Sequence, residues 1–362
     1  MQMMLPPPFD EFTEPCSDAG RPSGTSPSSG TLPASGTLQA SGTLQASGTL
    51  QASGTLEASG TTLAQPPASS PILTPLNSIA PPVCVGGTAA PGPIVVSVPH
   101  AGRHYASEMF THITAEAAAS LEDTGSDQLG FGLAKDDRAV LIASCARAVC
   151  DLNRPEHCLD PLLCEDDVAV AEDVYHRYIM AGYGVIPRLD SRKQPLHDTL
   201  GTELISNVLS CHHRPYHDRL KTLLEAASEH HPHVMLLDIH TMPDSSRWQN
   251  FRGTGNALSD IVLGSLHGAT LQQQHARLID DVLSKSGLSW KWNTPYAGGY
   301  ITRHYGLKPS IGSQAADISA LQIECNRNTF LDRAGALRAD NFARVQKLLA
   351  DIADILAEAL SA

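Results

Sequence analysis

The chain has no clustered run of Lys and Arg, no apolar stretch near the roughly 20 residues that cross a bilayer, and no CxxC pair. The missing basic run, in a chain of net charge −13, argues against a nucleic-acid partner, because affinity for phosphate comes mainly from Lys and Arg neutralising the backbone. The missing apolar stretch argues against a membrane partner. The start, MQMMLPPPFDEF, has no basic region followed by an apolar core. A cytoplasmic protein is the resulting expectation. The eight cysteines are scattered over 362 residues, which fits neither a small disulfide scaffold nor a Cys-rich zinc module. Cys145, Cys150 and Cys325 lie in or beside apolar runs and read as buried thiols.

What the chain does have falls into two parts. From about Ser17 to Leu73 it is rich in Ser, Gly, Thr, Pro and Ala, and a six-residue unit, SGTLQA with small variations, recurs from Ser29 to Ala58. One Leu per repeat offers too little apolar area to offset the roughly 1–2 kcal/mol per residue of backbone ordering entropy. A β-helix of six-residue turns would need stacked apolar positions at most turns, and this repeat offers one. Residues 1–80 are therefore expected to form a disordered low-complexity tail, and residues 81–362 a single folded domain.

Beyond residue 80 apolar runs alternate with amphipathic stretches, the pattern of an α/β fold whose sheet is covered by helices. The runs PIVVSVPH (Pro93 to His100), RAVLIASCARAVCDLNR (Arg138 to Arg154), HVMLLDIH (His233 to His240) and SALQIECNR (Ser319 to Arg327) have, or contain, strand length. Helical patterns cover Asp127 to Lys135, Thr202 to Ala227, Thr270 to Ser286 and about Asp340 to Leu360. In the last, Phe342, Val345, Leu348, Leu349, Ile352, Ile355 and Leu356 share one face and predict core. Met180 to Leu196, Met242 to Gly255 and Asn293 to Gly306 read as loops.

Two of the strands end in histidine, His100 and His240, and a third ends in Glu324. In an open α/β sheet the carboxyl ends of strands are where ligands bind. Two imidazoles, a carboxylate and a further carboxylate to move a proton are the parts of a hydrolytic zinc centre. Any one of 16 histidines is weak evidence. Glu324 is less easily dismissed, since a carboxylate on an apolar strand needs a cation or donors nearby.

The segments VPHAGRHY (Val98 to Tyr105), EDTGSDQL (Glu122 to Leu129), DLNR (Asp151 to Arg154), HRPYH (His213 to His217), DIHTMP (Asp238 to Pro243), GGYITRHYG (Gly298 to Gly306) and QIECNR (Gln322 to Arg327) resemble, in order, the motifs of the N-formylglutamate amidohydrolases. The resemblance covers nearly all of the chain from about residue 90 and leaves the repeats without a counterpart. It implies a fold similar to zinc carboxypeptidases, with a mixed sheet flanked by helices. It also implies a Zn2+ site of the His, acidic residue, His type. His100 and His240 match its histidines. For the acidic ligand EDTGSD offers both Asp123 and Asp127. Asp123 is preferred because a residue just before a helix can turn back to the strand end, whereas Asp127 would serve the helix N-terminus.

Glu324 matches the family position resembling the general base and acid of zinc carboxypeptidases. Asp238, two residues before His240 on the same strand face, could orient an imidazole or simply bond at the strand end. A dicarboxylate amide needs anion clamps, for which Arg154 and Arg303 are the candidates, with Asn153 as a neutral donor and Gly298 and Gly299 allowing close backbone approach. Arg103 and His104 lie close to the first ligand and could polarise the scissile carbonyl. His304 is a weaker anion donor. His217 reads as a packing or capping group, and His212, His213, His230, His231 and His233 as solvated.

The activity so implied is zinc-dependent hydrolysis of N-formyl-L-glutamate to formate and glutamate, a closing step of histidine degradation. The partner is then a small N-acyl amino acid. The rival readings are another zinc hydrolase, acting on N-acyl amino acids or peptide C-termini, and a non-catalytic interaction protein. Oligomeric state is not legible.

Overall fold

The computed structural model describes residues 71–362 except 111–114, 171, 244–257, 308–315, 333 and 362. The repeats, and the expected tail up to residue 70, lie outside the described residues. Residues 72–79 precede the boundary expected at 81, yet they are part of the fold. Strand β1 (Ile72–Thr74) pairs in parallel with β4 (His104–Ala106), and Leu76 and Ile79 are buried. Their few apolar side chains find a surface to cover, which the tail composition around them hides.

A seven-stranded mixed sheet carries the fold among the described residues, in the order β2 (Val83–Val85), β5 (Val140–Ile142), β3 (Ile94–Val98), β6 (His233–Met242), β9 (Asp317–Asn326), β7 (Ile261–Gly264), β8 (Trp290–Trp292). The central strands β5, β3, β6 and β9 run parallel, while β2 and β7 are antiparallel to their inner neighbours. Parallel strands covered on both faces should read as continuous apolar runs, and each of the four expected runs covers all or most of one of these strands.

The two faces pack into separate cores, with alternate residues of each strand going to opposite sides. In the first core Val95, Leu141, Val234, Leu236 and Ala320 meet Tyr216, Leu220 and Leu224 of α4 (Arg214–Ser228) and Ile301 and Tyr305 of α6 (Tyr300–Gly306). In the second, Val96, Met235, Leu237 and Leu321 meet Ile279 and Leu283 of α5 (Gln273–Ser286) and the apolar stripe of α7 (Ala339–Ser361). Val345, Leu348, Leu349, Ile352 and Leu356 are buried as that stripe requires, each worth about 1.5–3 kcal/mol relative to exposure.

Among the remaining helices, those of five or more residues are α1 (Ser126–Phe131), α2 (His176–Met180) and α3 (Thr202–Val208), and α3 runs into α4 through a π-turn at Leu209–His213. Two expectations need correction. The segment from Asn293 to Gly306 is not wholly loop, because its second half is α6, whose first turn has an external acceptor for the Ile301 N–H in the Asn153 side chain. His212 and His213 are not solvated, since the π-turn directs both into the interior, where they are 4 % and 3 % exposed. His230 and His233 are exposed and His231 is half-buried. Among the described residues no helix is long and apolar enough to cross a membrane, and the described cysteines are all free, with Cys145, Cys150 and Cys325 buried.

Burial pulls the imidazoles of His212 and His275 below their ordinary value, and each has one buried ring nitrogen without a hydrogen-bond partner. Both stay neutral in the fold while the unfolded chain takes up protons near pH 6.5. Their contribution to stability is therefore complete above that pH and is lost as pH falls toward the folded-state values. The thermal midpoint should decline between pH 7 and 5, and the decline should be shallower in His212→Gln and His275→Gln. An unchanged slope in both variants would remove these histidines as its source.

Candidate metal centre

On the first core's face the rows of β6 and β9 change character toward their carboxyl ends. Val234 and Leu236 give way to Asp238 and His240, and Ala320 gives way to Gln322 and Glu324. The register sets Asp238 beside Gln322 and His240 beside Glu324. His100 lies just past the end of β3. Asp123 sits in the turn before α1, closed by the Ser126 N–H on the Asp123 carbonyl and by Gly125 at φ 85°. Its own N–H donates to the His100 carbonyl at 3.3 Å, which draws the turn to the strand end.

Three donor atoms are thereby brought together. Nδ1 of His240 lies 3.1 Å from Nδ1 of His100 and 2.9 Å from Oδ2 of Asp123, and His100 Nδ1 lies 3.4 Å from that oxygen. On the far side each ring turns Nε2 to a carboxylate, His100 to Asp151 at 2.8 Å and His240 to Asp238 at 3.0 Å. A carboxylate only accepts, so Nε2 of each neutral ring holds the proton and Nδ1 is a lone pair. Two lone pairs and a carboxylate oxygen then face one another in a buried space. Such a set repels itself unless a cation sits among them.

The donor set fits zinc. The separations suit corners of a tetrahedron whose centre lies about 2.0–2.1 Å from each, and two imidazoles with one carboxylate are a known catalytic set that leaves a fourth position open. Among the described residues His100, Asp123 and His240 form the one such group of metal-ligating side chains. Asp127 is directed elsewhere, 3.5 Å from the Arg103 guanidinium.

With no cation among them, the surrounding carboxylates favour a second proton on His240. Burial alone would lower His240, but Asp238 and Asp123 override it and hold the imidazole well above its ordinary value. Burial would raise Asp123, yet the two imidazoles hold it below the usual carboxylate range. Asp151 behaves likewise, kept low against burial by Arg147, whose Nε donates to it at 3.0 Å, and by His100 and Arg154. Asp238 accepts from Ser97 Oγ at 2.9 Å, and that hydroxyl lies 2.9 Å from Tyr216 Oη. Glu324 is the exception. Burial pushes its carboxyl above the ordinary value despite His240, and Gln322 Nε2 donates to it at 2.8 Å. A carboxyl raised by burial beside a metal site is suited to taking up and giving back a proton.

Residues 92–331 match the family model for N-formylglutamate amidohydrolase. The chain belongs to the N-formylglutamate amidohydrolase family. It is 30% identical over 247 residues to an N-formylglutamate deformylase of Pseudomonas putida, which covers 66% of this chain and 82% of the relative. It is 25% identical over 253 residues to an N-formylglutamate deformylase of Pseudomonas aeruginosa, covering 68% of this chain and 86% of the other. Among solved structures it superposes on the N-formylglutamate amidohydrolase of Ralstonia eutropha JMP134 with a TM-score of 0.68 and 25% identity, over 78% of this chain and 99% of that one. A gene product of Agrobacterium tumefaciens shares the fold at a TM-score of 0.52 and 14% identity, over 78% and 96% of the two chains. As a member of an amidohydrolase family the chain is a hydrolase.

The other residues singled out from the sequence fall around this centre in different ways. Asn153 lies between it and α6, its Nδ2 3.3 Å from His240 Nε2 and its Oδ1 accepting the Ile301 N–H at 2.8 Å. Gly299 permits that approach, since a Cβ there would lie 2.3 Å from the Asn153 amide. Its N–H donates to Gln322 Oε1 at 2.7 Å, so a short chain of bonds runs from the Gly298–Gly299 turn to Glu324. Arg154 is 7 % exposed, gives Nε and Nη1 to the carbonyls of Tyr183 and Asn153, and lies 3.8 Å over the Tyr178 ring. Arg303 is half-buried on α6, and its guanidinium makes no hydrogen bond or ion pair among the described residues. His104 bonds Thr74 at 3.0 Å.

Sequence reasoning missed Asp151 and Arg147. DLNR was in view, but its aspartate had no assigned work, and Arg147 lies in an apolar run with no motif around it. Arg147 lies 3.7 Å from Asp123, as well as contacting Asp151. Zinc content measured on purified variants tests this arrangement. Asp123→Asn should lose most of the metal and Asp127→Asn keep it, while Asp151→Asn should weaken zinc affinity about 10–100-fold. Equal metal content in Asp123→Asn and the parent would remove Asp123 as a ligand.

Proposed function

We propose that the chain hydrolyses N-formyl-L-glutamate to formate and L-glutamate at a zinc ion held by His100, Asp123 and His240. The observation that carries this reading is the pair of imidazole lone pairs facing the Asp123 carboxylate, each ring locked from behind by its own carboxylate. The substrate is the one named for the Pseudomonas putida relative. A zinc ion there supplies Lewis acidity toward the amide carbonyl and lowers the pKa of water.

Glu324 does the proton work. Buried beside His240, it accepts a proton from the attacking water and delivers it to the amide nitrogen as the C–N bond breaks, which frees the amine of glutamate. Gln322 holds its carboxyl in place. Arg303, whose guanidinium has no partner among the described residues, and the Nη2 edge of Arg154 bind the two carboxylates of the substrate. Asn153 and the Gly298–Gly299 turn fix the distance between these clamps and the metal ligands. The formyl group is the smallest acyl group, so the reaction needs room only for a hydrogen beyond its carbonyl carbon.

Formate release from N-formyl-L-glutamate, lost with a chelator and restored by zinc, is the expected result. Zinc binding without formate release would sink the formylglutamate assignment and direct the search to other N-acyl amino acids. Glu324→Gln should retain zinc and lose about 10²–10⁴-fold in turnover. Unchanged turnover would take Glu324 out of its role.

A further inference from the structure

HRPYH does more than pack. His213 closes the π-turn and His217 follows one helical turn later on α4, so both point to the same side, their rings 4.5 Å apart. His213 donates Nε2–H to the carbonyl of Arg154 at 2.8 Å, and His217 donates Nε2–H to the carbonyl of Leu152 at 2.9 Å. These two carbonyls belong to the short loop whose side chains reach the metal centre. Asp151 holds His100 at 2.8 Å, and Asn153 lies against His240 at 3.3 Å. The other nitrogen of His217 lies 3.2 Å from the Tyr305 hydroxyl on α6, and that hydroxyl donates to the His217 carbonyl at 3.2 Å. The same ring thus ties the loop to the helix that bears Arg303.

We infer that His213 and His217 are positioning residues for the metal centre, setting the 151–154 loop from behind so that Asp151 orients His100 and Asn153 stays in register with α6. They touch neither ligand nor metal, and act through the backbone of the loop. The π-turn fits this role. One extra residue in the turn shifts the phase of the helix, and such turns are frequent at functional sites. A cleft of about 460 Å³ lies behind the loop, lined by Glu156, His213, His217, Tyr300 and His304 among others. Leu152 packs into the first core, and the two N–H···O bonds fix the carbonyls of the loop beside that packing.

The inference rests on the proposed zinc centre but not on its substrate, and zinc affinity of the full chain reads it directly. The dissociation constant comes from competition with a chromophoric chelator, beside the thermal midpoint of the apo-protein. His217→Phe keeps the ring volume and removes the donor, and should weaken zinc binding about 10-fold. His217→Gln places an amide N–H near the position of Nε2 and should restore most of the loss. His213→Gln and His213→Phe should show the same contrast. In formate-release assays at saturating zinc the Phe variants should raise KM more than they lower kcat, because Asn153 and α6 lose register.

If His217→Phe does not fold, His217→Asn, whose shorter amide falls short of Leu152, takes its place. Zinc affinity unchanged in the donor-less variants, or Gln no better than Phe at both positions, overturns the inference. Altered zinc affinity in a protein that does not release formate would leave this inference standing and remove the formylglutamate reading.

Discussion

The structure depends on one enforced confrontation. Two imidazole lone pairs and a carboxylate oxygen are pressed within 3.4 Å of one another in a buried space, and nothing in ordinary packing would hold them so. What holds them is a second layer of acids. Asp151 and Asp238 each take a proton-bearing nitrogen from one ring, which fixes the tautomer and aims the free nitrogen inward. Remove that layer and each ring could turn its N–H to the other's lone pair or to Asp123. The arrangement would then be an ordinary hydrogen-bonded cluster with no preference for a metal.

The sheet supplies the geometry cheaply. In β6 and β9 the same alternation that sends Val234, Leu236 and Ala320 into the first core sends Asp238, His240, Gln322 and Glu324 to the same side at the strand ends. No special backbone is needed until His100 and Asp123. There the turn with Gly125 in the left-handed region and the Asp123 N–H to the His100 carbonyl do the joining. The flexible choice in the site, which acidic residue reaches the rings, is thus made by a turn rather than by a strand. That is the part a change of one residue in loop length would disturb first.

Much of this could be read from the sequence. Strands buried on both faces declare themselves as apolar runs, and a histidine or glutamate closing such a run marks the edge where ligands bind, which is how His100, His240 and Glu324 stood out. The stripe of the last helix was equally plain. What could not be read has a common cause, namely contacts between segments distant in sequence. Asp151 matters because it lies 2.8 Å from His100, 51 positions away. Arg154 looked like a carboxylate clamp, and only the structure shows two of its donors given to backbone carbonyls. The short strands at 72–74 and 104–106 carry too few apolar residues for periodicity to register. His217 looked like packing because a backbone carbonyl acceptor leaves no trace in composition.

Charge also favours a cation at this centre. Asp123, Asp151, Asp238 and Glu324 are four carboxyl groups buried around two imidazoles that each hold a single proton. Arg147, Arg154 and Arg327 are guanidiniums that act on them, and Arg103 is engaged with Asp127. With every carboxyl ionised, the negative charges outnumber the positive ones. A proton on His240 or Glu324 offsets the excess, and the displaced values of both groups lean that way. A cation among the ligands offsets it instead and frees both groups. His240 is then neutral and able to ligate, and Glu324 is ionised and able to accept a proton, so the same ion that completes the charge also sets the base in its working state.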